Sequence, residues 1–406
     1  MVQALEAIRP REALKFPPSG NAELRHLREI VATKEATITP VGNLGYLVQN
    51  RKAPYVAEAP LILLDWDDTG AQTAQDKKRC FQELEGLGIS KEIIKFCDKF
   101  SRVDMGERGD HELMYEPELE MRLFSAALLD RKDGKVDLTD DVRRHLEAVK
   151  EKMIETESTD EIPLDPEIRD IYQQTRYTST LFPDTSDAIE KLKQIPGVPV
   201  NVALLTYGDP AFQLEKSMPL LDGDKVSQIF LTIAPKGKFF QEVLRQNPYR
   251  NISLTYRFAD TPRDIGVDFT NWQVPVILFD DDPKQVASFN SIAEREGLTG
   301  LAVVRVRRPG GKYAEKEADL SHFTPEQISS SYLDVENLVD AMGEVTDRMF
   351  EHYLIQAVVH GGPDALSVPD VAQVVAALAE DRNTDSSIVR GKALAAAKNT
   401  SGSEEK

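Results

Sequence analysis

Short apolar runs alternate with amphipathic segments through much of this chain. Five of the runs have the length and composition of buried strands, at residues 61–64, 200–205, 229–233, 274–279 and 301–306. Segments with helical periodicity lie between the later runs, for example at residues 284–296. Strands that alternate with helices are typical of parallel βαβ units. The sequence therefore predicts an α/β fold built on a doubly wound parallel sheet.

The first and second predicted strands are separated by residues 71–181, where the pattern is different. Apolar residues recur there at helical spacing, and no convincing strand signal interrupts them. The four stripes are Cys80, Phe81, Leu84 and Leu87; Ile93, Ile94, Phe96, Cys97 and Phe100; Leu119, Leu123, Phe124, Ala127 and Leu128; and Val142, Leu146, Val149 and Met153. We therefore expect an all-helical module, inserted into a sheet domain that is formed by residues 58–70 and 182–312.

The two ends of the chain carry less signal. Residues 1–57 contain one plausible helix, at 22–31, and predict an amino-terminal extension with little visible chemistry. Residues 320–392 predict a helical carboxyl-terminal extension with a further helix near 368–378. Its main apolar stripe consists of Leu333, Val335, Leu338, Met342, Val345 and Met349. Residues 393–406 are small and polar, which predicts a disordered tail.

Composition limits the class of protein. The 406 residues are 41% hydrophobic, enough for the cores of two or three domains. No apolar run approaches the ~20 residues of a membrane span, and the start of the chain lacks a signal-peptide core. Cys80 and Cys97 are the only cysteines, which favours a reducing, cytoplasmic location. The sequence thus predicts a cytoplasmic protein with no membrane partner.

The charge balance adds to this picture. With 49 basic and 68 acidic residues, the net charge is −19, which argues against nucleic acid or an anionic membrane as the main partner. A small anionic substrate stays compatible with this charge, because one lysine and one divalent ion can reverse the field inside a pocket.

The candidate chemistry begins where the first predicted strand ends. Asp65 and Asp67 follow the apolar run 61–64 and share one side if the strand geometry persists. The carboxyl ends of parallel strands are where ligands bind in such folds. Two adjacent carboxylates repel each other, so they normally hold a cation or share a proton. The pair therefore predicts a metal-assisted acid site, and the alternative is an acidic turn after an edge strand.

The second predicted strand ends in a hydroxyl group. Thr206 is followed by Tyr207 and Gly208. A hydroxyl and neighbouring backbone N–H groups at this edge can donate hydrogen bonds to an anion. The alternative is a threonine that caps a helix or a turn.

The third and fourth strands are followed by a lysine and by a second acidic pair. Lys236 lies at a helix entrance, where a cation does not complement the helix dipole and a bound anion would explain it. Lys238 is the alternative, as is an ordinary solvated lysine pair. Asp280 and Asp281 follow the fourth strand and are suitable ligands for Mg²⁺, which prefers oxygen. Helix capping is the competing explanation there and fits Asp282 best.

The order of these features resembles the haloacid dehalogenase-like (HAD) superfamily, whose members are mostly phosphatases. The similarity covers about residues 58–310. The matching segments are Asp65-Trp66-Asp67-Asp68-Thr69 for the first motif, Leu205-Thr206 for the second, Lys236 for the third and Asp280-Asp281 for the fourth. In that family an insertion between the first two motifs is a C1 cap, so the resemblance implies that residues 71–181 close over a small substrate.

Two points depart from the family pattern. Gly70 stands where an apolar residue is common, which predicts a looser exit from the first strand. The segment 258–265, with Asp260 and Asp264, is a rival for the fourth motif. We prefer Asp280 and Asp281, because a stronger strand precedes them and a helix follows them.

The resemblance also implies residue roles and an activity. Asp65 would be the nucleophile and Asp67 the acid–base group, while Thr206, Tyr207 and Lys236 would bind phosphate. Mg²⁺ would be held by Asp65, by the backbone carbonyl of Asp67, and by Asp280 or Asp281. The implied activity is a phosphatase that hydrolyses a small phosphorylated metabolite through an aspartyl-phosphate.

Two alternative functions remain open. The first is a phosphomutase or phosphotransferase of the same fold. The second is a non-catalytic binding or regulatory protein on the same scaffold. The terminal extensions favour a protein partner or self-association.

Overall fold

The computed structural model describes residues 20–32, 34–52, 61–104, 113–156, 163–193, 200–223, 225–246, 252–256, 267–272, 276–295, 303–318, 320 and 332–401. The strands are β1 (Ala36–Val41), β2 (Gly45–Asn50), β3 (Leu61–Leu64), β4 (Arg102–Asp104), β5 (Leu113–Tyr115), β6 (Asn201–Tyr207), β7 (Gln228–Thr232), β8 (Ile252–Tyr256), β9 (Val267–Trp272), β10 (Val276–Asp280), β11 (Val303–Val306) and β12 (Tyr332–Val335). The helices are α1 (Gly20–Val31), α2 (Thr73–Gly86), α3 (Lys91–Phe100), α4 (Pro117–Leu129), α5 (Asp140–Thr156), α6 (Pro166–Thr175), α7 (Pro183–Lys193), α8 (Pro210–Asp222), α9 (Lys236–Gln246), α10 (Pro283–Arg295), α11 (Leu338–Gly361), α12 (Pro369–Asp381) and α13 (Ser386–Ser401). A 3₁₀ helix spans Pro363–Ser367.

The main sheet has eight strands in the order β1-β2-β7-β6-β3-β10-β11-β12. The six strands from β7 to β12 in this order run parallel, and the β1–β2 hairpin adds two antiparallel strands beside β7. The predicted α/β class with a mostly parallel sheet is confirmed. β3 lies between β6 and β10, so the end of the first strand is next to the ends of the second and fourth predicted strands.

Helices cover both faces of the sheet because successive strand residues point to opposite sides. Ile62 and Leu64 belong to a core that includes residues of α1, α7, α8 and the carboxyl-terminal helices α11–α13. Leu61 and Leu63 belong to the opposite core, with residues of α9 and α10. The carboxyl-terminal helices therefore share a core with the sheet.

The inserted module has a separate hydrophobic core, formed mainly by residues of α2–α6. The prediction that it is entirely helical is wrong, because β4 and β5 pair in antiparallel fashion within it. Each of these strands has only three residues, too few to show an alternating pattern. Cys80 and Cys97 are buried free thiols in this core. The predicted domain boundaries at 58–70, 71–181 and 182–312 stay predictions.

The amino-terminal segment is more structured than predicted. The expected helix is present as α1, but residues 36–50 also form the β1–β2 hairpin, which the sequence analysis did not predict. β2 pairs with β7 and so extends the main sheet. Pro40 lies in β1, at the edge of the sheet, where a residue without an N–H group is tolerated.

The carboxyl-terminal segment corrects two predictions. Leu333 and Val335, which were assigned to a helical stripe, lie in β12, and α11 begins only at Leu338. The predicted disordered tail from 393 is wrong as far as Ser401, because α13 includes these residues. Alanine is the strongest helix former, and Ala393 and Ala397 are buried four residues apart. Residues 402–406 lie outside the described residues.

No helix in the described part of the chain has the length and apolar composition needed to cross a bilayer.

Candidate active site

The structure brings the predicted residues of the first, third and fourth motifs together at the carboxyl edge of the sheet. Asp65 directly follows β3, and its backbone N–H donates to the Phe279 carbonyl of β10 at 2.8 Å. Asp280 ends β10 and Asp281 follows it. Lys236 is the first residue of α9. The rival residues Asp260 and Asp264 lie outside the described residues.

Lys236 joins two of the carboxylates. Its Nζ lies 2.5 Å from Asp65 Oδ1 and 2.5 Å from Asp280 Oδ2, and its side chain is 2% exposed. Its backbone N–H donates to Gln285 Oε1 at 2.9 Å, which fixes the start of α9. Burial lowers the pKa of Lys236, but the charges of Asp280 and Asp65 outweigh this and raise it above its ordinary value. Between the two lysines that the sequence left open, Lys236 is the one that contacts Asp65.

Asp281 completes a trio of buried carboxylates. Asp65, Asp280 and Asp281 each offer one oxygen, and these oxygens lie within 4.8 Å of one another. The Thr69 hydroxyl lies 3.2 Å from Asp65 Oδ2 and 3.5 Å from Asp281 Oδ1. Among the described residues, the trio has the ammonium of Lys236 as its bonded cation, so its negative charge exceeds the positive charge.

The excess charge appears in the pKa values of the trio. Burial raises the pKa of Asp65 well above its ordinary range, and the charges of Asp280 and Asp67 add to this, while Lys236 opposes it. Burial, with the charges of Asp65 and Asp280, raises the pKa of Asp281 to about 9. A divalent cation that prefers oxygen would offset this charge, so the trio fits Mg²⁺.

The capping alternative accounts for Asp282 alone. Its Oδ1 accepts a hydrogen bond from the backbone N–H of Lys284 at 3.0 Å, in the first turn of α10. Asp280 Oδ1 in turn accepts from the Asp282 N–H at 2.8 Å. Asp282 therefore caps the helix, and Asp280 and Asp281 are left for the cluster around Asp65.

Asp67 lies in a different environment from Asp65. Its Oδ1 accepts hydrogen bonds from the Thr73 hydroxyl at 2.7 Å and from the ammonium of Lys216, and its Oδ2 accepts from Gln213 Nε2 at 2.8 Å. Burial acts to raise the pKa of Asp67, but the charge of Lys216 and these three hydrogen bonds outweigh it and lower the pKa to about 2. Asp67 is therefore an ionised carboxylate that already has a cation.

Thr206 and Tyr207 are connected to Asp67 through Gln213. The Thr206 hydroxyl donates to Gln213 Oε1 at 3.0 Å, and the Tyr207 carbonyl accepts from Gln213 Nε2 at 3.4 Å. Thr206 is buried, and Tyr207 is half-buried and packs against the core of the inserted module. Gly208 has φ +150°, and a Cβ there would lie 2.9 Å from Gln213 Nε2. Only glycine lets Gln213 reach this position without strain.

Three functional residues were missed by the sequence analysis. Gln213 and Lys216 lie three positions apart in α8, which begins directly after the second motif, and both are buried. Two polar residues on the buried side of this helix are a signal that could have identified them. Arg308 follows β11 and bonds to the first-motif loop, but its basic sequence neighbourhood gave no signal.

Gly70 does not loosen the exit from β3 as predicted. Its carbonyl accepts hydrogen bonds from the Phe182 N–H at 3.1 Å and the Thr185 hydroxyl at 2.8 Å. A Cβ at Gly70 would lie 3.3 Å from Cε3 of Trp66. The Trp66 ring fills the space that an apolar side chain would need, so the loop is held firmly.

Similarity to known proteins is found among solved structures. No protein-family model matches the chain, and no curated protein matches it. Solved structures that are similar include HAD-hydrolase YfnB from Bacillus subtilis bound to magnesium, with 13% identity, a TM-score of 0.36 and coverage of 71% of this chain and 99% of that one. A 2-haloacid dehalogenase from Pseudomonas syringae has 13% identity and a TM-score of 0.33, with coverage of 70% of this chain and 97% of that one.

A HAD family hydrolase from Deinococcus radiodurans with bound phosphate and sodium is also similar, with 12% identity, a TM-score of 0.32 and coverage of 71% and 97% of the two chains. By name, two of these three structures are HAD hydrolases and one is a 2-haloacid dehalogenase. At these TM-scores they carry no argument for the activity of this chain, which rests on its own residues.

Proposed function

We propose that the protein is a Mg²⁺-dependent phosphatase that hydrolyses a small phosphorylated metabolite through an aspartyl-phosphate. The observation that supports this most is the contrast between two neighbouring carboxylates. Asp65 belongs to a buried trio of carboxylates whose negative charge exceeds the charge of the bonded lysine. Asp67, in contrast, forms an ion pair with Lys216. A nucleophile beside a cation site, with a separate acid–base group, is what phosphoryl transfer requires.

The acidic trio supplies the metal ligands in this proposal. Asp65, the Asp67 backbone carbonyl, and Asp280 or Asp281 would hold Mg²⁺, and water and substrate oxygens would complete its shell. When bound, the ion offsets the repulsion between the Asp65 carboxylate and an anionic phosphate. Thr69, whose hydroxyl reaches both Asp65 and Asp281, keeps two of these ligands in position.

In the first step an Asp65 oxygen attacks phosphorus, and the bond from phosphorus to the leaving oxygen breaks. Lys236 offsets the negative charge of the non-bridging oxygens, and the Thr206–Tyr207 strand end would donate to them once the Thr206 hydroxyl turns from Gln213. Asp67 gives a proton to the leaving oxygen. Because Asp67 starts as a carboxylate, this proton has to enter with the substrate, as the phosphate monoanion.

In the second step water attacks the phosphorus of the aspartyl-phosphate, and the bond to Asp65 breaks. Asp67 accepts the proton of that water, which its ionised form suits. Asp67 then passes this proton to the departing phosphate, so inorganic phosphate leaves and both Asp65 and Asp67 are carboxylates again. The inserted module, which has its own core, would act as a C1 cap that excludes bulk water and selects the substrate.

The arrangement around Asp67 favours this reaction over dehalogenation. Lys216, Gln213 and Thr73 all bond to the Asp67 carboxylate. Displacing a halide requires no proton for the leaving group, so Asp67 would have no role as a general acid there. A phosphomutase or phosphotransferase would use the same residues and differ only in the acceptor.

The test is a screen of the purified full chain against an aryl phosphate and a panel of phosphorylated metabolites, with and without Mg²⁺. A 2-haloacid serves as the comparison substrate. The proposal expects phosphate release that needs Mg²⁺ and no halide release. Halide release without phosphatase activity would contradict it, and phosphate recovered on a second hydroxyl would identify a transferase instead.

A further inference from the structure

Arg308 is a buried arginine that donates hydrogen bonds to the first-motif loop. It follows β11 and is 5% exposed. Its Nε and Nη2 donate to the Thr69 carbonyl at 3.1 and 2.7 Å, and its Nη1 donates to Asp184 Oδ2 at 2.8 Å. The Phe182 ring stacks on it, with its centroid 4.1 Å from the guanidinium carbon. Each of the three guanidinium nitrogens thus donates a hydrogen bond, and together these bonds hold two other segments.

Thr69 connects this arginine to the reacting groups. Its hydroxyl lies within hydrogen-bond distance of Asp65 Oδ2 and Asp281 Oδ1, the nucleophile and a metal ligand of the proposed reaction. Two hydrogen bonds on the Thr69 carbonyl fix the plane of the Thr69–Gly70 peptide unit, and with it the Cα from which the Thr69 side chain extends. Arg308 therefore acts on Asp65 and Asp281 through Thr69.

Asp184 extends the connection to the carboxyl-terminal helices. It lies at the start of α7, where the chain returns from the inserted module to the sheet. Its Oδ2 accepts from Arg308 and also from the backbone N–H of Leu338, at 2.7 Å. Leu338 is the first residue of α11, so one carboxylate oxygen joins Arg308 to the amino terminus of that helix.

We propose that Arg308 is a positioning residue for the phosphatase site and that α11, through the Leu338 N–H and Asp184, holds Arg308 in place. This gives the carboxyl-terminal extension a part in catalysis through Asp184, Arg308 and Thr69. The inference rests on the proposed function for its activity readout. A purely structural role for Arg308 would lower the melting temperature without changing how the folded protein binds Mg²⁺.

The first experiment compares Arg308→Lys with the neighbouring substitution Arg307→Lys. Arg307 is 30% exposed and bonds to Asp334 and Glu317, away from the first-motif loop. Lysine keeps the charge at either position but cannot donate in a fork. We expect Arg308→Lys to weaken Mg²⁺ binding, measured by calorimetry without substrate, by about 10-fold and to lower kcat by a similar factor, with a smaller change in KM. Arg307→Lys should keep both values within about twofold of the unaltered protein.

Equal Mg²⁺ dissociation constants and kcat values for the two variants would overturn the inference. The melting temperature of each variant is measured alongside, so that loss of folded protein is not counted as loss of binding. If the unaltered protein neither binds Mg²⁺ nor releases phosphate, it is the proposed function that fails. If the unaltered protein does both and Arg308→Lys matches Arg307→Lys, the inference alone fails.

A second pair of variants tests the link to α11 and does not alter Arg308. Leu338→Pro removes the N–H that bonds to Asp184, and Leu338→Ala keeps it, while both lose the leucine side chain. Proline suits the first position of a helix, and Asn337, at φ −139° and ψ 158°, already has the extended conformation that precedes proline. We expect Mg²⁺ binding to the proline variant to be about threefold or more weaker than to the alanine variant. Equal binding by the two variants would refute the link.

Discussion

Asp65 and Asp67 are two residues apart at the end of one strand, yet their surroundings differ in charge. Asp65 lies with Asp280 and Asp281 around the ammonium of Lys236. Asp67 forms an ion pair with the ammonium of Lys216. It also accepts hydrogen bonds from two neutral side chains, those of Thr73 and Gln213. Burial raises the pKa of Asp65 far above its usual range, whereas the pKa of Asp67 is lowered to about 2.

The difference divides the site into two halves. In the complete half, the Asp67 carboxylate is paired with the Lys216 ammonium. In the incomplete half, the three carboxylates of Asp65, Asp280 and Asp281 share the ammonium of Lys236. Buried charges are stable only when they are paired or bound to a metal. The half around Asp67 meets this condition within the chain. The half around Asp65 meets it when a carboxyl group is protonated or when a further cation binds, and in our proposal it is the half that takes Mg²⁺ and the phosphate.

The largest expected effect is that of Asp65→Asn. If Asp65 is the nucleophile, this change should lower kcat for a generic aryl phosphate by more than about 10⁴-fold, since the amide of asparagine cannot form the covalent intermediate. Asp68→Asn is the matched control: Asp68 has φ +56°, which asparagine tolerates, and its Oδ1 accepts from the N–H of Ala74, a bond that asparagine Oδ1 can keep. Steady-state phosphate release measures both, and an active Asp65→Asn would remove Asp65 from the nucleophile role.

Asp67→Asn should have the next largest effect. Loss of an acid–base group lowers rates by about 10²–10⁴-fold, and the acidic trio that would bind Mg²⁺ is untouched. We therefore expect kcat to fall within this range while the calorimetric Mg²⁺ dissociation constant changes little. A variant that keeps full turnover, or one that stops binding Mg²⁺, would show that the two halves are not separate.

Lys216→Met tests the complete half through stability. Removing the ammonium leaves the Asp67 carboxylate without its cation, although a third of this side chain is exposed to solvent. We expect a loss of about 1–3 kcal/mol in the free energy of unfolding and a higher pKa for Asp67. Lys225→Met is the control, because Lys225 bonds to the neutral hydroxyl of Ser186 and should cost less than about 1 kcal/mol. Denaturant titration measures both variants, and equal losses would contradict the importance of the Lys216–Asp67 pair.

The smallest expected effect is the pH dependence of metal binding. The pKa of Asp281 is raised from 3.8 to about 9, so the metal-free folded protein holds a proton that the unfolded chain releases near pH 4. Stability of the metal-free protein should therefore fall as pH rises across this window. Mg²⁺ needs the ionised carboxylate, so its affinity should increase by up to about 10-fold per pH unit between about pH 6 and 8. Calorimetry of the unaltered protein and Asp281→Asn tests this: the variant should lose most of the pH dependence, and an unchanged slope would assign the proton elsewhere.

The incomplete half of the site was largely predictable from sequence. Asp65, Lys236, Asp280 and Asp281 each follow or adjoin an apolar run, and the carboxyl ends of parallel strands meet at one edge. The bounds of the five predicted strands agree with those of the structure to within about two residues, because fully buried strands have a strong hydrophobic signal. The local pattern and the sheet topology together thus placed these residues.

The complete half was not predictable in the same way. Lys216 lies in a helix, where a lysine is usually solvated, and its burial depends on how α8 packs against the main sheet. The contacts of Arg308 could not be predicted, because they involve segments that are distant in sequence. The β1–β2 hairpin was missed for a different reason: its residues have β-branched and alternating character, but scattered glycine and proline obscured it. Local patterns in the sequence identify helices and strands. The hydrogen-bond and ion-pair partners that a side chain finds on other elements can be identified only from the assembled fold.

The most direct test of the account is to look for the covalent intermediate. The full chain is incubated with Mg²⁺ and an aryl phosphate, quenched in acid, digested, and examined by mass spectrometry. The account predicts that the peptide containing Asp65 gains the mass of one phosphoryl group, that the gain requires Mg²⁺, and that it is absent in Asp65→Asn. Rapid phosphate release with a phosphoryl group on another residue, or with the same gain in Asp65→Asn, would contradict it.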